Sequence, residues 1–179
     1  MVKQEKGEIM QLKMFLLAGL LVLGVSLSAE NLLVNGDFKQ QKNSLPAAWS
    51  VVGKIDVTSK ISGGVTPESG VVCFSVSPGK NNGSLRQNVR QKVQVGKKYR
   101  LSVAMKGENF KAADWGFLLI NRNWKGNVGM RRFALKDSWR KMSKVVTVPA
   151  EWTDVTAVLF AAQLEGKLMV SDVKIEAVK

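Results

Sequence analysis

Residues 84–107, SLRQNVRQKVQVGKKYRLSVAMKG, set the pattern of the chain. Leu85, Gln87 and Val89 share one parity before a turn at 93–96, and Tyr99, Leu101, Val103 and Met105 share one parity after it. A period of two marks strands with one dry face and one wet face. The stretch therefore predicts a hairpin of two half-buried strands, with Tyr99, Leu101 and Val103 turned inward and Arg100, Ser102 and Lys106 outward. Further strands are predicted at 51–58, 71–76, 115–124, 128–135, 139–148, 155–162 and 168–178, separated by loops rich in Gly, Ser, Pro and Asn. In WGFLLINRNW, 115–124, both parities begin apolar and end polar, which suits a strand buried on two sides at one end and opening onto a groove at the other. Beyond residue 30, apolar residues never keep helical spacing for three turns, and no unit of about 20–50 residues repeats. Many short strands without helices predict one all-β domain, a sandwich or barrel.

Ahead of these strands, Lys13 precedes an apolar run at 14–25 and small residues at 26–29. That order predicts a secretory signal peptide within 1–29, cut after Ser28 or Ala29, a domain over 30–179, and a secreted or periplasmic location. The run is short for a transmembrane helix. Cys73 is the one cysteine, so no internal disulfide forms; Val71, Val72, Phe74 and Val76 around it predict a buried strand residue. Net charge is +13, and three lysines and two glutamates within 1–29 contribute +1, leaving +12 on the domain. A field of that sign favours anionic partners and weakens with salt. Export and the lack of a nucleic-acid motif argue against nucleic acid.

Several phrases together carry a resemblance. They are NLLVNGDF at 31–38, a strand containing Gln87, the Gly96-Lys97 turn with its Tyr99-led strand, Trp49 behind a proline loop, and a final strand with Ser171-Asp172-Val173. In this order, over about 31–178, they resemble the carbohydrate-binding modules of families 4, 9 and 22. The resemblance implies a jelly-roll β-sandwich of the galactose-binding-like type. It also implies packing roles for Trp49 and Trp139 and a structural role for Gln87. In the family an acidic residue after the Phe often helps hold a structural calcium, but here Lys39 stands in that place. Lysine cannot ligate a hard cation, so Asp37 and Asp172 with backbone carbonyls are the remaining candidates, and the metal is left open.

The chain has no His, which removes the usual general base and the Ser-His triad. Asp114, Asp137, Glu151 and Asp154 lie in predicted loops without a motif, so a glycosidase pair is disfavoured. Binding is the better prospect. A sugar offers an apolar C–H face and a rim of hydroxyls, matched by an aromatic ring beside amide and guanidinium groups. Trp115 and Trp124 bracket Asn121 and Arg122, while Arg131 and Gln163 add polar groups nearby. Each indole serves either stacking or core packing, and of the neighbours Arg131 and Arg132 only one can line a groove. The reading is an exported, non-catalytic carbohydrate-binding module, with an acidic or sulfated polysaccharide favoured by the charge. The alternatives are a structural or adaptor sandwich that docks a protein or the envelope surface and, behind it, a glycoside hydrolase.

Overall fold

The computed structural model describes residues 29–178, so the expected leader lies outside the described residues apart from Ala29. The chain runs through β1 (Gln41–Lys42), β2 (Leu45–Pro46), β3 (Ser50–Lys54), β4 (Asp56–Lys60), β5 (Val71–Ser75) and β6 (Asn82–Asn88). It continues through β7 (Lys98–Lys111), β8 (Asp114–Ile120), β9 (Asn127–Arg131), β10 (Arg140–Thr147), β11 (Thr156–Ala162) and β12 (Glu165–Ala177). Apart from the small β1-β2 ribbon, the strands form two five-stranded antiparallel sheets. The first has the order β10-β7-β12-β5-β4 and the second β3-β6-β11-β8-β9. The fold is a jelly-roll β-sandwich, as expected. Phe74, Leu101, Met105, Leu168 and Ile175 from the first sheet meet Leu85, Phe117, Leu119 and Leu159 from the second, and all are fully buried. Among the described residues no helix is long and apolar enough to cross a membrane.

The pairing of strands departs from the sequence-based expectation. β6 and β7 are both half-buried strands, but they belong to opposite sheets and form no hairpin. The residues between them cross the edge of the sandwich. Val93 N–H donates to Val89 O (2.8 Å), Gly96 at φ 77° donates to Val148 O (2.7 Å), and the Tyr99 hydroxyl accepts from Gln94 N–H (2.8 Å). Alternation says that a strand has one dry face; it does not say which strand lies beside it. The expected strand at 51–58 likewise splits at buried Ile55, with β3 in one sheet and β4 in the other. The expected strand at 115–124 ends at Ile120. Cys73 is half-buried, not core: Val72 and Phe74 fill the interior, and the residue between them faces outward.

Polar side chains tie the N-terminal segment to the last strand. Asn31 Oδ1 accepts from Leu33 N–H (3.1 Å) and Ile175 N–H (3.0 Å), and its Nδ2 donates to Val173 O (2.9 Å). Gln87, buried at 8% exposure, behaves as an inserted piece of strand. Its Oε1 accepts from Val34 N–H (2.8 Å), and its Nε2 donates to Val34 O (2.8 Å) and Ala48 O (3.2 Å). This is the structural role expected of it. Gln87→Leu keeps the side chain's bulk but leaves these backbone groups unpartnered, a loss of about 2–4 kcal/mol. Urea unfolding followed by tryptophan fluorescence measures it. Trp49 also packs as expected: it is buried, tilted on Phe38 at 5.7 Å, and donates from Nε1 to Asn35 O (3.2 Å).

Candidate functional site

Strand parity builds an apolar patch on the outer face of the second sheet. Phe117 and Leu119 on β8 and Leu159 on β11 enter the core, so Leu118, Ile120, Val158 and Phe160 point away from it. These four form a buried cluster of their own. Val158 lies opposite Leu118 on one side and Arg86 on the other, while Phe160 lies opposite Ser84. A strand apolar on both parities is thus used on both faces.

The turn after β8 supplies the roof. Asn121 caps a single 3-10 turn, Arg122–Trp124, with its Oδ1 accepting from Arg122 N–H (2.8 Å) and its carbonyl accepting from Trp124 N–H (3.1 Å). The Asn121 N–H donates to Gly126 O (2.9 Å), which closes the loop. Gly126 lies flat on buried Trp152, where a Cβ would sit 3.1 Å from the indole, so a larger residue would lift the turn. Held this way at φ 63°, Trp124 meets the edge of Phe160 at 5.5 Å and 77°. The Arg86 guanidinium lies 5.6 Å from the centre of the Trp124 ring and Arg131 lies 5.9 Å from that of Phe160. Trp124 remains 38% exposed. The result is a partly open indole plate braced by Phe160, with the Arg86 guanidinium over its own ring and that of Arg131 over the ring of Phe160.

Charge at the edge of this plate is fixed by Asp114. Its carboxylate pairs with Arg131 through both oxygens and with Arg132 Nε at 3.2 Å. Burial opposes ionisation, but the hydrogen bonds and positive charge of Arg131 and Arg132 outweigh it and hold the Asp114 carboxyl below its ordinary range. A carboxyl held ionised cannot serve as the general acid of a glycosidase. Because its folded value lies below the unfolded one, Asp114 stabilises the fold fully above about pH 4 and loses that contribution as pH falls through the folded value. Asp114→Asn should therefore cost about 1 kcal/mol near neutral pH, shrinking toward zero in strong acid. Thermal unfolding of both proteins across that range checks the convergence.

Of the residues singled out in the sequence, Trp124 and Arg131 come together on this face, with exposed Arg122 in the turn that carries Trp124. Asn121 is occupied in building that turn. Trp115 is placed elsewhere: it shares the inward parity of Phe117 and packs edge-on against Phe110 (5.1 Å) and Phe133 (6.4 Å). Its indole N–H is buried and has no acceptor among the described residues. It is half-buried on the inward-facing side of β8, whereas Trp124 lies over the outer face. Gln163, at φ 52° beyond the end of β11, donates its N–H to Asn82 Oδ1 (2.8 Å) at the end of the sheet. Arg86 and Phe160 were missed, although the alternate apolar positions Val158 and Phe160 within 155–162 signalled a second dry face.

Asp37 and Asp172 do line one cleft, but Lys39 and Lys174 line it with them. The Lys174 ammonium pairs with Asp172 at 3.4 Å, and Asp37 Oδ1 accepts from Lys39 N–H (3.4 Å). A cleft with one carboxylate already paired to an ammonium group and a second lysine in its lining is a poor donor set for calcium, and among the described residues no three acidic or thiol groups gather anywhere. The residues do not fit the ion.

A sequence model of a family described as a carbohydrate binding domain matches residues 30–167. No curated protein matches the chain in sequence. Among solved structures, the chain is similar to the CBM22-1 xylan-binding domain of Paenibacillus barcinonensis Xyn10C, with TM-score 0.63 and 13% identity over 84% of this chain and 96% of that one. It is similar to a cyclase from Fischerella sp. TAU, with TM-score 0.62 and 10% identity over 84% and 98%. It also matches tailspike protein 4 of bacteriophage CBA120, in its enzymatically active domain, with TM-score 0.62 and 13% identity; 83% of this chain spans only 21% of that one. At such identities the structural likeness is one of fold, and the fold hosts both binding domains and enzymes.

Proposed function

Because the chain belongs to the family of carbohydrate binding domains, we propose that it is an exported, non-catalytic module that binds a polysaccharide across the outer face of the second sheet. The observation that carries this is the Trp124 plate, a partly exposed indole braced by Phe160 and overlain by Arg86. A pyranose ring lays its C–H face on such an indole, and its hydroxyls take fork-like hydrogen bonds from the guanidinium groups beside it. The neighbouring Arg131 is pre-positioned by Asp114, so little side-chain freedom is lost on binding. The net charge of the domain favours an acidic glycan over a neutral one. The pairing of Asp114 with two arginines supports a binding role over a hydrolytic one.

The test is migration in native gels carrying soluble neutral and acidic polysaccharides. Retardation by at least one glycan that weakens in the Arg86→Ala protein upholds the assignment. Unchanged migration in every gel overturns it.

A further inference from the structure

We propose that the outer face of the first sheet is a second binding surface, for a strand of acidic polysaccharide, separate from the Trp124 plate and independent of the function proposed for it. The face is assembled by register. Lys106 on β7 lies opposite Met169 on β12, Met169 opposite Cys73 on β5, and Cys73 opposite Thr58 on β4. Around this row lies a cavity of about 400 Å3, lined by Lys60, Lys106 and Lys167 together with Thr58, Cys73 and Met169. Its floor is half-buried and apolar, and its rim is cationic.

Two features suit it to a charged sugar. The first is charge held in place. Glu108 pairs with both Lys106 (3.3 Å) and Lys167 (3.5 Å), fixing two ammonium groups with one carboxylate. Lys60 pairs with no carboxylate among the described residues, and Asp56, the next acid on β4, is taken by Lys80 at 3.1 Å. The positive charge is therefore in excess at the rim, and an anion meets it without first breaking an ion pair. The second feature is an aromatic ring. Trp139, for which the resemblance implies a packing role, lies half-buried beside β10 with the Lys106 ammonium 5.7 Å from its ring centre. Lys106 thus joins the cavity, which it lines, to an indole outside that lining, and an indole with an ammonium over it matches a sugar ring that carries a carboxylate or sulfate.

Cys73 supplies the reporter. It is the one cysteine in the chain and lines this cavity, while burial pushes its thiol above the ordinary range, so labelling is run at mildly alkaline pH. The rate of reaction with the neutral reagent 4,4'-dithiodipyridine is measured on the Trp124→Ala protein, where the other face is disabled. Polygalacturonate supplies carboxylates, heparin supplies sulfates, and hydroxyethylcellulose is the neutral control. The expected result is that one or both acidic polymers slow labelling about fivefold or more, that hydroxyethylcellulose does not, and that roughly 0.5 M salt restores the rate. Protection by only one acid identifies the charged group. Lys60→Ala combined with Lys167→Ala, both exposed and hence compatible with folding, should abolish the protection. Absence of protection by both acids, equal protection by the neutral polymer, or protection that survives the double lysine substitution would overturn the proposal. Gel retardation that is unaffected by Arg86→Ala, with protection intact, would count against the Trp124 plate alone.

Discussion

Trp124→Ala is expected to weaken polysaccharide binding tenfold to a hundredfold while barely moving the unfolding midpoint. An indole face and the sugar it covers together remove about 60–100 Å2 of apolar surface from water, worth roughly 1.5–2.5 kcal/mol. The substitution also leaves Arg86 without the ring it overlies and Phe160 without its roof. The cost to the fold is small because Trp124 sits on a surface turn whose backbone bonds come from Asn121 and Gly126. Titration calorimetry with the best glycan found in gels, beside thermal unfolding of both proteins, separates the two quantities. A fully retained affinity would remove Trp124 from the site.

The second large effect is on stability. Phe117→Ala should cost about 3–5 kcal/mol, the range for deleting a phenyl ring from a closed core. Phe117 has no exposed surface and sits between Leu159 on β11 and Met130 on β9 in register, on a strand that is buried along most of its length. A domain of this kind has only about 5–15 kcal/mol in hand. With a single cysteine there is no disulfide to restrict the unfolded chain, so packing must carry the whole difference. Urea denaturation should show a lower midpoint with an unchanged slope, because the same surface is exposed on unfolding.

What the sequence disclosed and what it hid follow from the range over which each signal acts. Alternation around Leu85 and Leu101 is local and identified strands correctly, and the resemblance around Gln87 identified its structural role. Pairing is not local. This jelly roll sends many successive strands, β6 and β7 among them, to opposite sheets, so the two strands that read as a hairpin are neighbours in sequence alone. The same limit separated Trp115 from Trp124. Both stand in one ten-residue stretch, 115–124, yet Trp115 follows the inward parity of Phe117, while the chain leaves the strand at Ile120 and a capped turn swings Trp124 onto the outer face. Arg86 joined it from β6, thirty-eight positions earlier, by a register that no local pattern encodes.

The place of β12 has a consequence for how the molecule is made. It is the last of the described strands along the chain, yet it lies at the centre of its sheet, between β7 and β5. Until it arrives, both of those strands lack their shared neighbour, and half of the sandwich has nothing to close upon. The first sheet therefore closes only when a strand far along the chain docks between two earlier ones, a long-range pairing that makes slow folding the expectation for this domain.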